Sequence, residues 1–230
     1  MATPGNRYFT FSPEKDILIV FSGKGFHLPE SMIQDFALNN AISVQAEQVH
    51  GSNISISTDK SSLFFKASDA IITIEKNHAL FIRTADCVPV LMYDRKTKAI
   101  CAAHAGLKGT IERIVPTCIN KMQEIYGSSI ADIYIYIGPC IHQCCYEVDQ
   151  PIIEKIKEFP FYQEIISPSR NDHFMLDLQS FNIKLIKSMG IAEENIFSLD
   201  LCTGCRDDLF YSFRKRKESN RMFSMIIRKG

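Results

Sequence analysis

Cys87 and His104 are the residues most able to do chemistry together. Cys87 stands just ahead of an apolar run, Val88–Tyr93, and His104 just beyond a second run, Ala99–Ala103. A polar break of hairpin length, residues 94–98, separates the runs. Paired as a hairpin, they bring the thiol and the imidazole to the same end of one sheet. A thiolate facing an imidazole there suits either a metal centre or a Cys/His nucleophile pair. His50, in Gln48-Val49-His50-Gly51, stands where a strand-like run gives way to a turn. It reads either as a solvated turn residue or as a third donor. Three protein donors of mixed nitrogen and sulfur character leave zinc's fourth tetrahedral position open, which is the mark of a catalytic rather than a closed structural site. Their long separations mean that the fold, not a local knuckle, would assemble them.

Other residues carry weaker patterns. Residues 213–221, FRKRKESNR, form the one strongly basic run. It reads either as a solvated loop or as the source of two guanidinium forks, Arg214 and Arg221, for a phosphate. Cys140, His142, Cys144 and Cys145 share a short loop and read either as metal ligands or as packing thiols, C-x3-C-C not being a standard zinc spacing. These thiols are expected to pack beneath a substrate loop. Cys202 and Cys205 form a C-x-x-C, but without the following helix that thioredoxin-like redox chemistry uses.

The elements that must position these groups follow from periodicity. Strands are expected at 16–21, 42–50, 54–57, 70–75, 79–83, 130–137, 195–201 and 222–228, besides the hairpin. Helical spacing marks 29–38, 111–126, 151–159 and 178–189, with Thr110 as an N-cap and Gly127 and Gly190 as stops. Pro116 lies inside the second of these and predicts a kink or a late start. Residues 161–173 read as irregular. Strands and helices so mixed make the chain α/β.

Composition narrows the function classes. The 230 residues hold 26 Lys+Arg against 26 Asp+Glu, so no overall field draws nucleic acid or an anionic membrane. The first residues, MATPGNRYFTFSPEK, contain no apolar secretory core, and no later run reaches the length of a membrane span. A cytoplasmic address is expected. The eight cysteines are then thiols or metal ligands rather than a disulfide framework.

The chain resembles the YfiH-type laccase-domain family, also called polyphenol oxidase-like or purine nucleoside phosphorylase proteins. The resemblance rests on Gln48-Val49-His50-Gly51, Thr84-Ala85-Asp86-Cys87-Val88-Pro89-Val90, His104-Ala105-Gly106 with Gly109-Thr110, Ile137-Gly138-Pro139-Cys140-Ile141, Cys145-Tyr146-Glu147-Val148 and Tyr211-Ser212-Phe213-Arg214. It implies one domain over residues 1–230, with mixed sheets packed on each other between helical layers, α/β/β/α. It implies His50, Cys87 and His104 as zinc ligands, and purine nucleosides and phosphate as partners. Phosphorolysis of adenosine, inosine and methylthioadenosine is expected, with adenosine deamination beside it. Asp86 is expected in acid/base duty or in orienting a ligand, and Arg214, Arg221 and Lys108 at the phosphate. Leu107-Lys108 stands where the family usually has Trp-Arg, replacing an aromatic plane and a bidentate fork by an aliphatic and a point charge. Three other readings stand beside this one: a copper-dependent polyphenol oxidase, a metal-free Cys/His hydrolase, and a non-enzymatic zinc-stabilised interaction module.

Overall fold

The computed structural model describes residues 8–25, 28–59 and 61–230. Its strands alternate apolar side chains to two different cores, which is why they read as nearly unbroken apolar runs. In Ile17–Ser22, for example, Ile17, Ile19 and Phe21 enter one core while Leu18 and Val20 enter another. Val88–Asp94 behaves the same way, with Val88, Val90 and Met92 on one face and Leu91 and Tyr93 on the other.

Two six-stranded sheets result. The first runs in the order Tyr8–Phe11, Ile17–Ser22, Met222–Arg228, His78–Thr84, Ile42–Ala46 and Phe64–Phe65. The second runs Ile196–Ser198, Ile133–Ile137, Val88–Asp94, Ile100–Ala105, Ala70–Thr73 and Ile54–Ile56. Ile19, Leu80, Leu91, Ile100 and Tyr136 belong to the core between the sheets. The outer face of the first sheet is covered by the helix Pro29–Asp35, through Met32. The outer face of the second is covered by the helices Ile114–Tyr126 and Leu178–Ser188, through Ile119 and Phe181. The expected α/β/β/α layering is therefore the observed architecture. A small third sheet of Glu147–Asp149, His173–Leu176 and Ile166–Pro168 closes one end. Among the described residues no helix is long and apolar enough to cross a membrane.

Several boundaries differ from expectation, for local reasons. The strand expected to reach His50 stops at Ala46, because Val49, His50 and Gly51 give their N–H groups to the Asp69 carboxylate instead of to a neighbouring strand. Pro116 marks a late start: the long helix begins at Ile114, so the proline occupies its first turn, where no N–H is needed. A separate short helix, Leu107–Ile111, precedes it. Residues 130–132 form a 3-10 turn ahead of the strand Ile133–Ile137, and part of the basic run winds into the short helix Phe213–Arg216. The stretch 161–173, expected to be irregular, supplies the strand Ile166–Pro168.

Candidate active site and metal centre

The hairpin forms in the register that the two apolar runs demand. Val88 pairs with Ala105 and Pro89 with His104, so Cys87, one residue before the strand, faces the end of its partner. Ala85, Asp86 and Cys87 are also the crossover from His78–Thr84 in the first sheet to Val88–Asp94 in the second. His50 comes from the loop after Ile42–Ala46 and reaches the same rim. Donor atoms of His50, Cys87 and His104 lie within 4.8 Å of one another. The two imidazole rings meet edge to face, with centroids 4.8 Å apart at 79°.

Asp69 holds this arrangement together, and no motif in the sequence points to it. It is fully buried. Its Oδ1 accepts hydrogen bonds from the His50 N–H (2.9 Å) and from His104 Nδ1 (2.8 Å). Its Oδ2 accepts from Val49 N (3.2 Å) and Gly51 N (2.8 Å). One carboxylate therefore fixes the His104 ring and shapes the turn in which His50 adopts φ 60°. Only a signal from tertiary structure could have found it, because Ala67-Ser68-Asp69 reads as an ordinary strand approach.

Electrostatics favour ligand chemistry. Burial alone would push the Cys87 thiol up, but hydrogen bonds and charge from His104 and His50 outweigh it and bring it down to about 6. Burial lowers His104, whereas Asp69 and Cys87 raise it to about 9. Burial also raises Asp69, but the bonds from His104, Gly51 and Val49 hold its carboxyl below the usual range. Without a metal, the pair at neutral pH is a thiolate beside an imidazolium. With His104 Nδ1 committed to Asp69, Nε2 remains as the ligand atom, the arrangement a carboxylate gives to metal-bound histidine. Gly106 leaves room for the donors: a Cβ there would lie 3.2 Å from both Cys87 Sγ and His50 Cδ2. Two imidazoles and one thiolate, open toward a cleft, fit a single zinc ion with one free position.

The cleft above has a volume of about 560 Å³. Leu107, Ile141, Leu178, Tyr146 and Phe213 give it apolar walls, and Arg83, Arg214 and Arg221 give it positive charge. Arg214 lies over the Tyr146 ring, 4.6 Å from its centroid, and donates through Nη1 to the Glu147 carbonyl at 2.6 Å. Arg221 commits Nη1 to the carbonyls of Glu218, Ser219 and Asn220, so it braces its own loop while lining the cleft. Arg83 is a cleft residue that sequence reasoning missed. The Gln48 amide clamps its backbone, with Nε2 donating to Arg83 O at 2.8 Å and Oε1 accepting from Arg83 N at 2.9 Å.

Of two further expected site residues, one faces away from the cleft and one lines it. Lys108 is on the solvent side of its helix, 3.8 Å from Glu112, whereas its neighbour Leu107 lines the cleft. Asp86, at φ 95°, uses both carboxylate oxygens on protein donors: Oδ1 accepts from Thr203 Oγ1 (2.7 Å) and Oδ2 from Arg214 N (2.6 Å). It lines the cleft and ties the crossover to the two loops that bring in Thr203 and Arg214.

Residues 30–229 match the family described as multi-copper polyphenol oxidoreductase laccase. The chain belongs to that family. Among curated relatives of this family member, "Purine nucleoside phosphorylase YlmD" of Bacillus subtilis is 36% identical over 163 residues, which are 70% of this chain and 59% of the relative. The chain thus spans less than two thirds of that relative's length. "Purine nucleoside phosphorylase CA_C1699" of Clostridium acetobutylicum is 39% identical, over 70% of this chain and 67% of its own. "Adenosine deaminase RL5" from an unknown prokaryotic organism is 28% identical, over 74% of this chain and 66% of its own. The crystal structure of the hypothetical protein YfiH of Bacillus licheniformis superposes with a TM-score of 0.88 at 28% identity, covering 97% of both chains.

Proposed function

We infer that the cleft is the active site of a zinc-dependent purine nucleoside phosphorylase acting on adenosine, inosine and methylthioadenosine, with adenosine deamination as a side activity. The observation that carries this reading is the cleft floor, where two imidazoles from separate elements meet one thiolate beneath guanidinium groups and apolar walls. A Cys/His hydrolase needs one imidazole beside its thiolate, and His50 would be redundant. Multi-copper oxidation needs more clustered imidazoles than this cleft contains. His78 is bonded to Ser57, His142 lies beside Asp200, and His173 is in the small sheet. His27 lies outside the described residues. A purely structural zinc module would have no use for an open donor face above a charged cleft.

His50, Cys87 and His104 would hold the zinc, which would supply Lewis acidity. The protein's own groups do the rest. Arg214 and Arg83 hold the phosphate charge while an oxygen of hydrogen phosphate bonds to the ribose anomeric carbon and the glycosidic C–N bond breaks; the phosphate's proton ends on the departing purine nitrogen, giving free base and ribose 1-phosphate. Leu107, Ile141, Phe213 and Tyr146 exclude water around the purine. Asp69 orients His104, and Asp86 orients the Arg214 backbone.

Metal-quantified protein incubated with each of the three nucleosides, with and without phosphate, tests the reading by product mass. Release of base that depends on phosphate is expected. Ammonia as the sole product would replace the phosphorylase by a deaminase, and oxidation of a phenol in place of both would sink the reading.

A further inference from the structure

Away from the cleft floor, four more sulfurs converge. Cys144 and Cys145 come from the 3-10 turn Gln143–Cys145, and Cys202 and Cys205 from the loop after the strand Ile196–Ser198. Each pair alone has an unremarkable spacing, and the fold brings the pairs together. Cys144 Sγ lies 3.8 Å from Cys145 Sγ, 3.7 Å from Cys202 Sγ and 3.4 Å from Cys205 Sγ. Cys145 and Cys205 are 3.5 Å apart. A tetrahedron of thiolates around zinc, with Zn–S bonds of about 2.3 Å, has edges of about 3.8 Å. These four separations match or fall slightly below that edge, and all four sulfurs lie within 4.8 Å of one another. We propose that Cys144, Cys145, Cys202 and Cys205 form a second, closed metal site that binds zinc as a tetrathiolate.

The surroundings fit that occupant. A Cβ on Gly204 would lie 2.7 Å from Cys145 Cβ and 2.8 Å from its sulfur, so only glycine lets the C-x-x-C turn close onto the other pair. The N–H of His142 points at Cys202 Sγ from 3.4 Å, with those of Gly204 and Cys205 beside it, as befits a thiolate acceptor. Binding releases the thiol protons and leaves four thiolates around a dication, a net charge of about −2. Cations stand ready: Arg216 reaches the carbonyls of Gly204 and Thr203, and the Lys215 stem lies against Gly204. Ordinary hydrophobic packing does not account for the cluster, because Cys144 and Cys205 are exposed. The four are free thiols, the shortest of these sulfur separations being 3.4 Å against about 2.05 Å in a disulfide.

With four protein ligands, the second site has no open position and does no chemistry of its own. It joins the loop that ends in Tyr146 to the loop containing Thr203. Tyr146 carries Arg214, and Thr203 holds Asp86, so the ion would fasten one wall of the cleft.

The test uses the full chain purified without chelator, as wild type, Cys87→Ala and Cys144→Ser/Cys205→Ser. The Cys87→Ala protein is expected to retain about one zinc per chain, and its cobalt-substituted form to show intense thiolate-to-metal absorption. The double variant is expected to lose both that ion and that absorption. In the wild type, mapping of alkylated cysteines is expected to show Cys144 and Cys205 protected despite their exposure until a chelator is added. Rapid alkylation of these two in metal-replete wild type would overturn the proposal even if the double variant fails to fold. So would a Cys87→Ala protein devoid of metal, or a native mass about 2 or 4 Da low, reporting disulfides.

Discussion

Asp69→Asn tests the organisation of the site most directly, since the change is nearly isosteric and its consequences follow from hydrogen-bond direction. All four groups around the carboxylate are donors. An amide presents one acceptor oxygen, and its NH2 must face two of those donors whichever way it turns. If the NH2 takes the Oδ1 position, the His50 N–H is orphaned and His104 must give up its Nδ1 proton and keep the one on Nε2, the atom required for the metal. If it takes the Oδ2 position, Val49 and Gly51 lose their acceptor and the turn holding His50 at φ 60° is released. One or two hydrogen bonds to a charged acceptor are lost according to the orientation, at about 1.5–3 kcal/mol each, so the metal-free protein should be destabilised by about 1.5–6 kcal/mol. Metal affinity at the cleft should fall about 10- to 100-fold, the usual consequence of removing a carboxylate behind a histidine ligand. Denaturant unfolding of metal-free protein gives the first figure, and competition with a coloured chelator in the cold gives the second. A variant with wild-type midpoint and affinity would refute the idea that Asp69 organises the two histidines.

Three further outcomes follow from the same geometry. Gly106→Ala should keep its fold, since Gly106 sits at φ −71°, yet weaken metal binding by about tenfold because the new methyl presses on Cys87 Sγ and His50; unchanged affinity in the chelator assay would contradict the close fit. Arg214→Lys should raise KM for phosphate by about tenfold or more with a smaller change in kcat, read by steady-state kinetics, since a point charge replaces a fork braced on Tyr146 and Glu147. Glu218 titrates at about 2 rather than its ordinary 4.5: burial raises it, and bonds from Ser212 N, Lys24 and Arg216 more than compensate. Because its folded value is depressed, its stabilisation is complete above about pH 5 and is lost as pH falls toward 2. Allowing for its partial exposure, Glu218→Gln should remove about 1–2 kcal/mol at neutral pH and flatten acid unfolding in that window, as followed by circular dichroism.

The parts of the molecule legible in the sequence are those where one residue type does one job. Ile133–Ile137 and Met222–Arg228 are buried on both faces, so composition alone marks them as strands. The hairpin register follows from two apolar runs around a polar break, and it is enough to put Cys87 and His104 at the same end of the sheet. Asp69 was illegible because a carboxylate that organises four donors looks, in sequence, like any acid before a strand. The convergence of the two cysteine pairs is not legible in the sequence, because each supplies half of a constellation that exists only once the loops meet. Lys108 was misplaced because a five-residue helix turns it outward while turning Leu107 inward.

Cys87 belongs to a crossover three residues long that stitches one sheet to the other. The backbone that carries the sulfur cannot shift without the layers sliding, and sliding them would disturb the buried core between the sheets, Ile19, Leu80, Leu91 and Ile100 among it. His50 has no such anchor, standing on an exposed loop tied down through Asp69, so an ion held there would leave by local opening on that side, and its leakage into a scavenger would time the loop rather than the whole molecule.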